Sequence, residues 1–150
     1  MLNTHEHFMR EAIRLARRAK GKTYPNPAVG AVVVNDKKII SKDYHKKCGL
    51  PHAEALALAK AREKAKGASL YVTLEPCAHH GKTPPCVSAI IKSGIKKVYV
   101  GIKDPNPLVN GKGIKMLRNN NISVRVGICR SQAEKLNIDY IKKMQDTKAR

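Results

Sequence analysis

His52, Glu54, Cys77 and Cys86 are the residues of this chain whose types and spacing could do chemistry. One imidazole and two thiols form the ligand set of a zinc ion that keeps a fourth position open. Zinc held by two thiolates and a neutral imidazole carries no net charge, and water at such a site loses a proton near neutral pH. A carboxylic acid two residues from the imidazole would take that proton and pass it on. Pro51 and Pro85 stand immediately before His52 and Cys86, so each ligand can open a helix, where exposed N–H groups and the dipole favour thiolate. Residues two apart on an ideal helix point ~200° away from each other. Convergence of His52 and Glu54 therefore needs the first turn of that helix to lie across the floor of a pocket. A competing reading makes Cys77 and Cys86 a pair of buried thiols, or part of a closed structural zinc completed by His79 or His80. Glu54 has no purpose in a closed site, which favours the open one. Cys48 reads as a loop thiol and Cys129 as a core residue closing an apolar strand; His5 and His7 receive no role.

Several elements must carry these residues to one place. Residues 5–20 predict an amphipathic helix, with Phe8, Ala12, Leu15, Ala16 and Ala19 opposite Arg10, Arg14, Arg17 and Arg18. Gly21 and Tyr24-Pro25-Asn26-Pro27 end it. The valine-rich run 28–34 suits a central buried strand, residues 35–38 a turn, and 39–44 the returning strand. A helix over 52–65, a strand over 69–74 and a loop to Pro84 follow. Next come a helix from Pro85 to Ser93 stopped by Gly94, and a strand over 97–102. A loop from Asp104-Pro105-Asn106-Pro107 to Gly111, a short helix over 113–119, a strand over 122–128 and a helix over 131–144 complete the order. Strands separated by helices imply parallel pairs with helices on both faces of the sheet, and the first hairpin makes that sheet mixed. The expectation is one α/β domain over residues 1–150, with about five strands and a frayed polar tail at 145–150.

The 150 residues carry 30 Lys and Arg against 11 Asp and Glu, a net charge of +19. Such a balance recommends an anionic partner. The basic residues are spread along the chain, and one phenylalanine with five tyrosines cannot build a base-stacking platform, which argues against nucleic acid. No apolar run approaches the ~18 residues of a membrane span, and the N-terminus has no secretory pattern. Cysteines better used as thiolates than as disulfides point to a reducing, cytoplasmic compartment.

Zinc-dependent nucleobase deaminases carry H-x-E followed by P-C-x-x-C; here the two cysteines stand nine positions apart. The segment Pro76-Cys77-Ala78-His79-His80-Gly81-Lys82-Thr83-Pro84-Pro85-Cys86 resembles the riboflavin-biosynthesis diaminohydroxyphosphoribosylaminopyrimidine deaminases. Residues 25–30, 51–54, 73–77 and 104–107 support the resemblance in the same order. It implies a cytidine-deaminase-like three-layer α/β/α sandwich and one Zn2+ per chain held by His52, Cys77 and Cys86. The implied reaction, with Glu54 moving protons, is hydrolytic loss of the 2-amino group of 2,5-diamino-6-ribosylamino-4(3H)-pyrimidinone 5′-phosphate. Asn26, His45, His79 and Lys82 match positions around the substrate. Asn26 can donate and accept at a pyrimidine edge, Lys82 can offset phosphate charge, and His45 and His79 can bond the ring or ribose. Asp104 and Asn106 suit ribose hydroxyls, against a competing reading as turn formers before proline; Lys82 could equally be one more solvated lysine.

Ala78 stands where the family commonly has serine. The family's usual form continues into a reductase domain, so the expectation here is deamination alone, with reduction on a separate polypeptide. Family members often associate, which leaves a homo-oligomer open. Two rivals remain: a tRNA or nucleobase deaminase of the same fold, favoured by the basic surface but opposed by the cysteine spacing, and a non-catalytic zinc-stabilised nucleic-acid module, in which Glu54 would be dispensable.

Overall fold

The computed structural model describes residues 4–79 and 84–149. Five strands, β1 (Gly30–Asn35), β2 (Lys38–Tyr44), β3 (Ser69–Leu74), β4 (Lys97–Ile102) and β5 (Ser123–Val126), form one sheet in the order β2-β1-β3-β4-β5. β1 runs antiparallel to β2 and β3, while β3–β4 and β4–β5 are parallel. Asp36 and Lys37 make the two-residue hairpin turn with φ of 50° and 62°, the left-handed pair whose twist matches the flanking strands.

The valine run in β1 is uninterrupted because both its faces are covered. Ala31 and Val33 pack into a core with α2 (Ala53–Ala61), α3 (Cys86–Ser93) and α4 (Lys112–Asn119). Val32 and Val34 pack on the opposite side with α1 (Thr4–Arg17) and α5 (Arg130–Leu136). The result is the three-layer α/β/α arrangement. α1 lies so close to β1 that a Cβ on Gly30 would stand 1.9 Å from the Ala12 carbonyl oxygen. No helix among the described residues is long and apolar enough to cross a membrane.

Several expected elements end differently. The closing helix is two, α5 and α6 (Ile138–Ala149), separated at Asn137. Asn137 Oδ1 accepts the Ala28 N–H at 2.8 Å, and its Nδ2 donates to the Ala28 carbonyl at 2.7 Å. Residues 145–149 belong to α6. α2 stops at Ala61, where Arg62 adopts φ 54° and a 3-10 turn takes over. Cys129 caps α5 at φ 53° and is half-buried, not a core residue closing a strand. His5, given no role from sequence, bonds the Tyr71 hydroxyl at 2.6 Å and stacks on Tyr99.

Candidate metal centre and active site

The site gathers where β3 ends and where α2 and α3 begin. His52 is extended, with φ −74° and ψ 161°, and caps α2 rather than forming its first turn. That backbone state removes the helical divergence between positions i and i+2, so the His52 ring and the Glu54 carboxyl share one cavity wall. Cys86 is the first residue of α3 behind Pro85, which is extended at ψ 135°. Cys77 lies in the loop after β3, its sulfur accepting the Cys86 backbone N–H at 3.4 Å.

His52 Nδ1 stands 3.3 Å from Cys86 Sγ and 4.0 Å from Cys77 Sγ, and the three donor atoms lie within 4.8 Å of one another. Tetrahedral zinc with ordinary Zn–S and Zn–N bonds needs neighbouring N and S ligands about 3.5 Å apart. The donors therefore fit a zinc ion. A hydrogen bond joins the two thiols. Cys77 is held down to about 4, first by the hydrogen bond with the Cys86 thiol and then by His52. Cys86 is pushed up by that same hydrogen bond and by burial. Bonding to Cys77 raises His52. Burial, reinforced by the Cys77 charge, pushes Glu54 up to about 7. Among the described residues no fourth His, Cys, Asp or Glu joins the three, so a closed site completed by His79 finds no support. His80 and Lys82 lie outside the described residues.

A cavity of about 460 Å³ opens from this cluster. Asn26, His45, His79, Asp104 and Asn106 all line it, together with His52, Glu54 and Cys77. His45 is buried, and its Nδ1 lies 3.1 Å from the Pro51 carbonyl oxygen. A carbonyl only accepts, so Nδ1 carries the proton and Nε2 accepts from Asn26 Nδ2 at 3.4 Å. Burial lowers the His45 pKa, which favours this neutral form. Asp104 Oδ1 accepts from the Asn106 N–H and Asn106 Oδ1 from the Leu108 N–H. Both residues thus make turns and line the cavity at once. Burial raises the Asp104 pKa.

The structure adds residues that sequence reasoning missed. Glu75, Tyr140, Lys143 and Met144 also line the cavity, as does the half-buried thiol of Cys48. A signal existed for Glu75, an acid directly before Pro76-Cys77. None existed for the three residues on α6.

Fold and donor set together define a class, zinc-binding deaminases of the cytidine-deaminase type. The description "Cytidine and deoxycytidylate deaminase zinc-binding region" matches residues 2–102, and the chain belongs to that family. Within it, the chain is 50% identical over 138 residues to the diaminohydroxyphosphoribosylamino-pyrimidine deaminase of Buchnera aphidicola subsp. Schizaphis graminum, covering 92% of this chain and 94% of that one. It is 58% identical over 135 residues to the riboflavin biosynthesis protein RibD of Aquifex aeolicus, covering 90% of this chain but only 38% of that protein's length. A diaminohydroxyphosphoribosylaminopyrimidine deaminase/5-amino-6-(5-phosphoribosylamino)uracil reductase from Thermotoga maritima superposes with a TM-score of 0.91 at 47% identity, over 96% of this chain and 42% of that one.

Proposed function

We propose that this protein hydrolytically deaminates the phosphorylated ribosylamino-diaminopyrimidinone of riboflavin biosynthesis, releasing ammonia. The observation that carries the reading is the meeting of three zinc donors with a buried carboxyl on one wall of a cavity large enough for a nucleotide-sized ligand. The names of the Buchnera and Thermotoga relatives support the substrate. His52, Cys77 and Cys86 hold the zinc. When bound, zinc supplies the Lewis acidity that makes water a nucleophile at neutral pH. Glu54 takes the proton from the attacking water and delivers it to the ring nitrogen, then takes the proton of the newly added hydroxyl and passes it to the departing amine. Its raised pKa suits a group that must both accept and return a proton near pH 7.

Asn26 and His45 form a relay from the Pro51 carbonyl that fixes the direction of the Asn26 amide, which reads the pyrimidine edge. Lys82 serves the ribosyl phosphate, His79 the ring or ribose, and Asp104 and Asn106 the ribose hydroxyls. The reduction named for the Thermotoga relative is assigned to a separate active site. Four free cysteines among the described residues, two of them metal donors, suit a reducing cytoplasm.

Ammonia release from the phosphorylated diaminopyrimidinone tests the reading. Activity should vanish when a chelator strips the zinc and return when zinc is restored. Undiminished activity in metal-free protein, or deamination of tRNA alone, would overturn it.

A further inference from the structure

Two acids flank the metal donors in sequence, Glu54 and Glu75, and both line the cavity. They are engaged very differently. Glu75 is 3% exposed, and each of its oxygens accepts two backbone N–H groups. Oε1 takes those of Asp104 at 3.1 Å and Gly111 at 2.9 Å; Oε2 takes those of Gly113 at 3.0 Å and Ile114 at 3.2 Å. That set fills the acceptor capacity of a carboxylate, so Glu75 has no lone pair left for a reacting proton. Its own N–H donates to the Ile102 carbonyl at 3.0 Å, which locks its backbone to the end of β4.

Gly111, Gly113 and Ile114 form the start of α4, where a negative charge is also favoured by the helix dipole. The approach is tight. A Cβ on Gly113 would lie 2.0 Å from the Pro76 carbonyl oxygen, so the residue beside Cys77 rests on the first turn of α4. The loop between Asp104 and Gly111 is thus tied at both ends to one side chain two positions from a metal donor. Asp104 is held a second time, because the Tyr140 hydroxyl of α6 donates to its Oδ1 at 2.8 Å.

We infer that Glu75 and Tyr140 are positioning residues for the substrate. Glu75 sets the distance between the loop and the strand end carrying Cys77, and Tyr140 orients the Asp104 carboxylate which that loop presents to the cavity. A ligand bridging metal and loop meets both walls at once, so a displaced loop weakens its binding more than it slows the chemistry at Glu54. The kinetic arm of the test rests on the deaminase reading proposed above; a second arm does not.

The zinc-loaded full chain and its variants Tyr140→Phe and Glu75→Gln are compared in ammonia release. Tyr140→Phe removes one hydroxyl and should raise KM about tenfold, with kcat within about twofold and zinc still bound at one per chain. Glu75→Gln turns an acceptor oxygen into an amide NH2 donor facing two N–H donors and should raise KM further. In the second arm, amide hydrogen exchange of Glu75→Gln should quicken about tenfold or more at Asp104, Gly111 and Gly113, with Val32 and Val33 of β1 still protected. An unchanged KM in Tyr140→Phe overturns the inference, as does a fall in kcat at constant KM, loss of zinc, or unchanged exchange in the loop. If Glu75→Gln does not fold, Tyr140→Phe decides. A wild type inactive on this substrate overturns the deaminase reading alone, and loop exchange then decides the positioning.

Discussion

Glu54 is the residue to which the proposed mechanism gives the proton transfers. It sits 3% exposed, and burial, reinforced by the Cys77 charge, raises its carboxyl to about 7. Replacing it by glutamine keeps the shape and removes the proton acceptor. Turnover of Glu54→Gln should fall by about 10²–10⁴, the usual worth of a positioned acid or base. Metal analysis should find zinc retained, because Glu54 is not among the donors. Undiminished turnover would show that Glu54 does not carry the proton transfers. The residue pattern here was readable in advance: His52, Glu54, Cys77 and Cys86 are types that few other tasks require together. The convergence of His52 and Glu54 was not readable as a mechanism, since it depends on His52 being extended rather than helical.

At the scale of elements, two ties show how helices are held to the sheet. Asn137 bonds both backbone groups of Ala28, and Ala28 is 3% exposed. Asn137→Ala leaves that N–H and carbonyl buried without partners, and chemical denaturation should show a loss of about 2 kcal/mol. Glu11 on α1 accepts two hydrogen bonds from Arg14 and one from Lys42 on β2. The Arg14 hydrogen bonds, helped by Lys42, hold its carboxyl down to about 2. A folded pKa below the unfolded one means stability present above about pH 4.5 and lost as pH falls through about 2. At pH 7 Glu11→Gln should cost about 0.5–1 kcal/mol. Denaturation curves of the two proteins should converge as pH approaches 2. A constant difference across that range would show that the tie is not ionic.

At the scale of the whole molecule, 11 acidic residues cannot neutralise 30 basic ones. The folded chain concentrates that excess on one compact surface and destabilises itself by repulsion. Salt shortens the reach of this repulsion, to ~8 Å at physiological ionic strength. The melting temperature should therefore rise as sodium chloride is increased from about 20 to about 300 mM, beyond the Debye range of most surface pairs. A melting temperature that falls would mean that favourable ion pairs, such as those of Glu11 and Asp43, outweigh the net charge.

The order of strands and helices, the mixed sheet and the metal donors were legible from sequence, because each is written locally. Valine runs, a proline before a helix, a glycine after one and a ligand triplet all act within a few residues of where they stand. β3, β4 and the end of α3 fall where their residues predict. What only the tertiary structure decided acts across distance. Asn137, between α5 and α6, meets Ala28, 109 positions away, and Tyr140 reaches Asp104 across 36. Glu75, an acid two positions before Cys77, has its oxygens filled by a loop 29 to 39 positions on. Sequence names the groups that can do chemistry; that Glu75 holds a loop against the wall beside Cys77 follows only from the four N–H groups its lone pairs meet once the chain is folded.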